Sequence, residues 1–188
     1  MSGADDTATR ILEAAAPVFA AEGFAGASTR VLAHAAGVNV ATLAYHFRDK
    51  QGLYDAIVER TYESLLAVDL DGDATGDRAV RLRAMVTRLY RYARAHCVEV
   101  RVLLRHVLDA QQLPEAARAR FLPAALQLAA TAVASLDIPF DPLPLLSLNH
   151  LLVRYALTEE ADLALMGLDH DRVAAHLGDV ACRLFSLD

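Results

Sequence analysis

The 188-residue sequence contains no tryptophan, two cysteines and a single lysine. The cysteines, Cys97 and Cys182, are far apart and form no CxxC pair, which favours buried thiols in a reducing compartment over a disulfide framework. The first ten residues have neither a basic start nor an apolar core, so no signal peptide is expected. The uncharged run at residues 121–136 is too short to span a bilayer. We therefore expect a soluble cytoplasmic protein without a membrane partner.

Enzyme motifs and sheet-forming patterns are missing as well. The sequence has no GxSxG, HExxH or GxGxxG motif and no phosphate-binding loop. His170, His176 and Asp179 can meet on one helix face, but a metal site needs a fuller set of ligands. No alternating apolar run is long enough for a sheet. The expectation is an all-α protein that is not an enzyme and holds no metal or cofactor, with an all-helical enzyme as an alternative.

The charge of the chain is distributed unevenly. Its net charge of −6 does not suggest nucleic-acid binding by the chain as a whole. Between residues 24 and 50, however, the three cations Arg30, Arg48 and Lys50 face one acid, Asp49. This modest basic patch predicts binding that depends on geometry as much as on charge.

Residues 28–50 carry the most informative pattern in the chain. Ser28 is a good N-cap for a first short helix, and Gly37 stands where a sharp reversal needs a positive φ. Asn39 then caps a second short helix over residues 40–46, and a third helix follows at once. The pattern predicts two helices joined by a tight turn, which is the geometry of a helix-turn-helix.

The second short helix has a small, mixed outer face. Leu43 and Phe47 are four residues apart and share its inner face. Such a helix fits the major groove of B-DNA, where Thr42 can bond a base edge or lay its methyl group against thymine. The positions expected to point outward are Val40, Ala41, Thr42, Ala44, Tyr45 and His46.

Lys50 is unusual in its position. Asp49 is expected to cap the next helix, which places Lys50 in a first turn where the helix dipole disfavours a cation. A phosphate bound at that helix N-terminus, with Lys50 beside it, would explain the residue. The alternative is a solvated surface lysine.

Between residues 10 and 59 a set of motif residues recurs in a characteristic order: Phe19, Gly23, Ser28, Ala36-Gly37-Val38, Leu43, Tyr45-His46-Phe47 and Lys50. In this order and spacing, the segment resembles the TetR family of bacterial transcriptional repressors. In that family a Tyr usually follows the Leu of this motif and often touches a phosphate, whereas this chain has Ala44 there and Tyr45 next. The run at 39–47 is more similar to the branch with a CerR-type C-terminal domain.

The helix-turn-helix pattern and the resemblance together predict the DNA contacts. Thr42 and Tyr45 are expected to read or brace bases, while residues at the helix ends fix the register on phosphates. The complete predicted set is Ser28, Thr29, Arg30, Asn39, Val40, Ala41, Thr42, Ala44, Tyr45, His46 and Lys50.

Periodicity predicts about nine helices, divided between a DNA-binding domain at residues 1–50 and a regulatory and dimerisation domain at 51–188. Residues 69–77 read as an acidic loop, and their DxDGD run invites a calcium interpretation although EF-hand spacing is missing. Residues 138–144 hold three prolines and are expected to be free of helix. The predicted helices outside the helix-turn-helix are 7–22, 50–69, 78–97, 98–109, 115–136 with a start, break or kink at Pro123, 145–166 and 169–185.

Six arginines lie between residues 78 and 94 with no acid among them. On an amphipathic helix they form either a second nucleic-acid patch or a solvated face.

The helix at 145–166 is apolar nearly all round in its first half, and an exposed patch of that size would aggregate. It and the last helix therefore form either a dimer interface or a monomeric core. The resemblance implies pairing through the last two helices, together with a ligand pocket in the larger domain. Polar or aromatic residues that interrupt apolar faces are the candidate pocket residues, although such residues are more often core: Tyr92, His96, His106, Asn149, His150 and Tyr155.

The sequence thus predicts a homodimeric repressor on a palindromic site in double-stranded DNA, released by an unknown small-molecule effector. Two recognition helices about 34–36 Å apart would enter successive major grooves, and a ligand would move the fourth helix and change that spacing. A regulator that senses nothing, an activator, and a protein-interaction adaptor with a vestigial head remain alternatives, the last because of Ala44 and the weak basic patch.

Overall fold

The computed structural model describes residues 3–70, 75–108 and 115–187. In this part of the chain all regular secondary structure is helical, which confirms the all-α prediction. The ten helices are α1 (Gly3–Gly26), α2 (Thr29–Ala35), α3 (Val40–Phe47), α4 (Lys50–Leu66), α5 (Arg78–Ala95), α6 (Cys97–Leu108), α7 (Glu115–Ala134), α8 (Pro142–Ala156), α9 (Glu160–Leu165) and α10 (His170–Leu184).

The helix predicted at 145–166 is in fact two helices, and it begins earlier than expected. The Asp141 carboxylate accepts a hydrogen bond from the Leu143 amide at 2.9 Å and caps α8. Pro142 occupies the first turn, where a missing N–H leaves no bond unmade. The prediction that residues 138–144 are free of helix was therefore wrong at its C-terminal end.

Two further predictions concern Pro123 and the acidic loop. α7 runs continuously through Pro123, so this proline neither starts nor breaks the helix. Residues 71–74, the centre of the acidic loop, lie outside the described residues, and so does the calcium interpretation. Within the described parts, no helix is long and apolar enough to cross a membrane.

The chain packs into two compact units. The first contains Met1–Leu65 and Val98–Arg118, and the second contains Leu66–Cys97 and Ala119–Asp188. By packing, α4 belongs with α1–α3, so the functional boundary proposed after residue 50 falls within the first unit. The assignment of separate functions to 1–50 and 51–188 stays a prediction.

The first unit is organised around a core shared by α1, α2, α3, α4 and α6. Its fully enclosed side chains include Ile11, Leu32, Leu43, Leu53 and Val102, each with 0% of its surface exposed. Burying a side chain of this size contributes about 1.5–3 kcal/mol. Helix α3 is therefore held on the unit by the burial of Leu43.

The second unit is built on α5, which packs against α10 and α8. Arginines of α5 bind to other parts of this unit, an arrangement that neither interpretation of the arginine run anticipated. Arg83 pairs with Asp179 at 2.9 Å, and Arg94 donates to the Ala156 carbonyl at 2.8 Å. Further partners within the unit are Asp137 for Arg78, the Asp69 and Leu70 carbonyls for Arg88, and Asp171 for Arg91.

The three residues considered for a metal site have other contacts. His170 Nδ1 lies 2.6 Å from the Tyr90 hydroxyl, and the His176 ring packs edge-on to Tyr155. Burial, followed by the charge of Arg94, lowers the pKa of His170. Among the described residues there is no group of three or more side chains that could hold a metal ion.

A two-residue turn, residues 48–49, joins α3 to α4. Arg48 ends α3 with a φ of 68°, and the Asp49 carboxylate accepts a hydrogen bond from the Gly52 amide at 2.8 Å. A Cβ atom at Gly52 would collide with the Phe47 carbonyl oxygen. Only glycine allows α4 to begin this close to the end of α3.

Gly52→Ala should therefore destabilise the protein by about 1–3 kcal/mol, as overpacking does elsewhere. Without the clash, replacing a helical glycine by alanine would stabilise the protein by up to ~1 kcal/mol. A loss of stability therefore identifies the clash. Urea denaturation measures the difference. Gln51→Ala, in the same turn, is the control and should stay within ~0.5 kcal/mol of wild type; equal stability of Gly52→Ala would contradict the steric argument.

Candidate DNA-binding site

Helices α2 and α3 form the predicted helix-turn-helix, and its capping residues are confirmed. The Ser28 hydroxyl accepts a hydrogen bond from the Val31 amide at 3.2 Å and starts α2. Gly37 has a φ of 64°, and the Val38 amide closes the turn on the Ala33 carbonyl at 3.0 Å. A residue with a side chain would be strained at Gly37, which explains the glycine there.

Asn39 both caps α3 and orients Thr42. Its side-chain oxygen accepts from the Thr42 amide at 2.7 Å and lies 3.1 Å from the Thr42 hydroxyl, which can donate its proton there. A hydroxyl oriented this way offers its remaining lone pairs and the methyl group outward. Thr42 is thus suited to accept a bond from a base amino group or to contact a thymine methyl.

The outer face of α3 is open, as its pattern predicts. Tyr45 is 81% exposed and Val40 is 44% exposed, whereas Leu43 on the opposite face is fully buried. Ala41 and Ala44 are exposed small residues that leave room beside Tyr45. The His46 ring packs edge-on against Tyr45 at 5.2 Å between centroids, which links the two aromatic residues of this face.

The start of α2 presents a second group of predicted contacts. Ser28 and Arg30 are exposed and Thr29 is half-buried. Amide groups in the first turn of a helix favour anions, and a cation beside them favours a phosphate further. Contact of these residues with DNA stays a prediction.

Lys50 has partners inside the protein that the sequence did not reveal. Its ammonium nitrogen lies 2.8 Å from the Phe24 carbonyl oxygen and 3.1 Å from the Ala27 carbonyl oxygen. It also lies 4.3 Å from the centroid of the Phe24 ring. Hydrogen bonds to a charged group contribute about 1.5–3 kcal/mol each and a cation–π contact about 0.5–1 kcal/mol.

The six candidate ligand residues do not form one cluster. Tyr92 and His96 pack together in the second unit with ring centroids 4.3 Å apart. His106 belongs to the first unit, where it is buried beside Tyr54 at 5.6 Å. Three candidates lie on α8: Asn149 and His150 are exposed, and Tyr155 is half-buried.

Tyr155 also lines a hollow of the second unit with a volume of about 290 Å³. The other lining residues are Leu151, Arg154, Thr158, Leu163 and Met166. The wall is mostly apolar with one guanidinium, so it offers a place for an apolar group beside an anion. None of the other five candidate ligand residues lines this hollow, and their role in ligand binding stays a prediction.

Comparisons with known proteins identify the class of this site. Residues 11–57 match the family of bacterial regulatory proteins described as the tetR family. A probable HTH-type transcriptional regulator of Bacillus subtilis, YttP, is 42% identical over 57 residues, 30% of this chain and 28% of that protein. The Escherichia coli regulator UidR is 38% identical over 64 residues, 34% of this chain and 33% of its own length. The matches thus span about a third of these relatives.

Solved structures match over nearly the whole chain. A TetR family regulator from Marinobacter aquaeolei aligns with a TM-score of 0.74 and 25% identity, covering 98% of both chains. AibR, solved in complex with isovaleryl coenzyme A and operator DNA, aligns with a TM-score of 0.69 and 20% identity, covering 95% of this chain and 98% of that one.

The fold and the site define a protein with an N-terminal helix-turn-helix, and the curated relatives that match this region are HTH-type transcriptional regulators. Residues 11–57 match the helix-turn-helix region of the tetR family, and the fold of the chain is that of solved TetR family regulators. The matched relatives are regulators and not enzymes. Membership of the branch with a CerR-type C-terminal domain stays a prediction.

Substitutions of Asn39 should separate the stability of α3 from its interaction with DNA. Asn39→Ala removes the cap and should cost about 0.5–2 kcal/mol in urea denaturation. Asn39→Asp keeps the acceptor and suits the helix dipole, so its stability should remain near wild type. Its carboxylate would face phosphates, however, and anisotropy titration should show weaker DNA binding. Wild-type stability of Asn39→Ala, or wild-type DNA affinity of Asn39→Asp, would contradict this account.

Proposed function

We propose that the protein is a cytoplasmic homodimeric repressor that binds a palindromic operator through α3 and releases it when a small molecule binds. The observation that carries the proposal is the capped, outward-facing α3, with Thr42 oriented by Asn39 and Tyr45 largely exposed. Its side chains would read base edges, and the first turn of α2 would bind phosphates to fix the register.

The exposed face of α8 and α10 supports a dimer. Leu143 is 69% exposed, Leu146 is 53% exposed and Leu184 is 36% exposed. These apolar side chains lie on helices whose other faces are buried in the second unit, and a patch of this kind needs a partner. A second copy related by a two-fold axis would cover it and would place two α3 helices on the two halves of a palindrome.

The effector is proposed by analogy with AibR, which was solved with isovaleryl coenzyme A as well as operator DNA. A small molecule can release DNA only if its affinity differs between the bound and released conformations. The apolar hollow with Arg154 on its wall favours an effector that combines an apolar group with an anion.

Operator binding should be measured first, by fluorescence anisotropy with DNA from upstream of the gene itself, at two salt concentrations. We expect salt-dependent binding with two protomers per site, because neutralised phosphates release counterions. Thr42→Val keeps a methyl group but removes the hydroxyl, and it should change sequence preference at one symmetric position by about 1–3 kcal/mol.

Random DNA of the same length is the control in this titration. Wild-type binding that is equal for random DNA and every tested upstream fragment would contradict specific recognition. It would favour the alternative of a protein-interaction adaptor, in which the helix-turn-helix no longer recognises base pairs because Ala44 stands where a Tyr is usual.

The dimer is tested by a charged substitution on its proposed surface. Leu146→Asp should give a monomer in analytical ultracentrifugation and weaken binding to a full operator at least ten-fold, because one head alone contacts half of the site. Leu122→Asp is the matched control, since Leu122 on α7 is 54% exposed and lies on neither α8 nor α10. A dimeric Leu146→Asp variant would exclude this face as the interface.

A further inference from the structure

Lys50, the only lysine in the chain, lies at the start of α4, but its ammonium group reaches the end of α1. There it contacts the carbonyl oxygens of Phe24 and Ala27 and the face of the Phe24 ring. These three contacts join segments that are 23 and 26 residues apart in sequence.

The end of α1 is a natural site for this cation. Gly23 interrupts the helix with a φ of 71°, and the Ala27 amide bonds back to the Gly23 carbonyl at 3.2 Å. Phe24 and Ala27 lie beyond this break, and their carbonyl oxygens accept charge-assisted hydrogen bonds from the ammonium group.

The bonded carbonyls lie next to the start of α2. Ala27 is fully buried and immediately precedes Ser28, the N-cap of α2. The position of Ala27 thus sets where Ser28, Thr29 and Arg30 are presented. Because Lys50 is bonded to this turn, the start of α4 and the start of α2 are fixed to one another.

We propose that Lys50 is a positioning residue for DNA binding, which acts by locking the turn between α1 and α2 rather than by contacting a phosphate itself. The effect on DNA binding rests on the proposed function, whereas this lock, the set of contacts between Lys50 and the turn, is a property of the free protein. Two acceptors already occupy the ammonium group, which leaves at most one of its three N–H donors for any other partner. Presenting the first turn of α2 in a fixed place removes an ordering cost from DNA binding.

The lock is tested first without DNA. Lysine labelled with ¹⁵N and ¹³C gives a single set of side-chain NMR signals, because the chain has one lysine. We expect a slowly exchanging ammonium signal and upfield-shifted Hε protons from the ring current of Phe24, with the upfield shift lost in Phe24→Leu. A rapidly exchanging ammonium with unshifted Hε protons would overturn the proposal, whether or not the protein binds DNA.

The consequence for DNA is tested by the salt dependence of the dissociation constant. Lys50→Met should weaken operator binding about ten-fold at every salt concentration, the loss expected when hydrogen bonds to a charged group disappear. The slope of log K against log salt should remain unchanged, because the phosphate contacts still form. Arg30→Met, which removes one predicted phosphate contact from each of the two protomers, should make that slope shallower by about 1.8.

Phe24→Leu distinguishes the two roles further, because it removes one contact of the ammonium and no charge. It should weaken operator binding in the same direction as Lys50→Met, and the double variant should be weaker by less than the product of the two effects. Thermal unfolding of each variant identifies any general loss of folding. A slope for Lys50→Met that is shallower by about 1.8, with wild-type affinity for Phe24→Leu, would replace the lock with a direct phosphate contact in each protomer.

If the wild-type protein binds no DNA, the proposed function fails but the lock is still decided in the free protein. Hydrogen exchange at the Ser28–Val31 amides should then be faster in Lys50→Met than in wild type. Unchanged exchange at these amides would show that Lys50 does not hold the turn.

Discussion

A helix of eight residues is not stable in water by itself, since isolated helices shorter than about 12–15 residues are marginal. The recognition helix α3 has this length and therefore depends on the unit around it. Leu43 anchors its inner face in the core, and Asn39 supplies the cap at its start. At its other end, Gly52 lets α4 begin directly after the turn. Most of the outer face is then left open, because only the Thr42 hydroxyl on that face takes part in these stabilising contacts.

The net charge of −6 and the contacts of the α5 arginines both argue against a broad basic surface for nucleic acid. Five of the six arginines of α5 are paired within the second unit, with carboxylates such as Asp179 or with carbonyls such as that of Ala156. Exposed pairs of this kind contribute little to stability, typically 0–1 kcal/mol. They do, however, reduce the positive charge available to a nucleic acid at α5. The proposed DNA contact therefore depends on the shape of one small face more than on total charge.

Features formed by residues close in sequence were predictable. Ser28 and Asn39 cap their helices over three residues, and Gly37 supplies the positive φ of the turn, because each of these is decided by local backbone chemistry. The face of α3 follows from helical periodicity in the same way. The start of α8 was missed because prolines in a first turn look like helix breakers when the cap at Asp141 is not recognised.

The sequence by itself determined the helix-turn-helix motif, the all-helical class and the outward face of α3, since motif, propensity and periodicity are local properties. Only the tertiary structure decided what Lys50 contacts, because its carbonyl acceptors are 23 and 26 residues away and backbone oxygens leave no signature in a sequence. It likewise decided that Arg83 pairs with Asp179, 96 residues further on. Packing, not pattern, brings such groups within hydrogen-bonding distance.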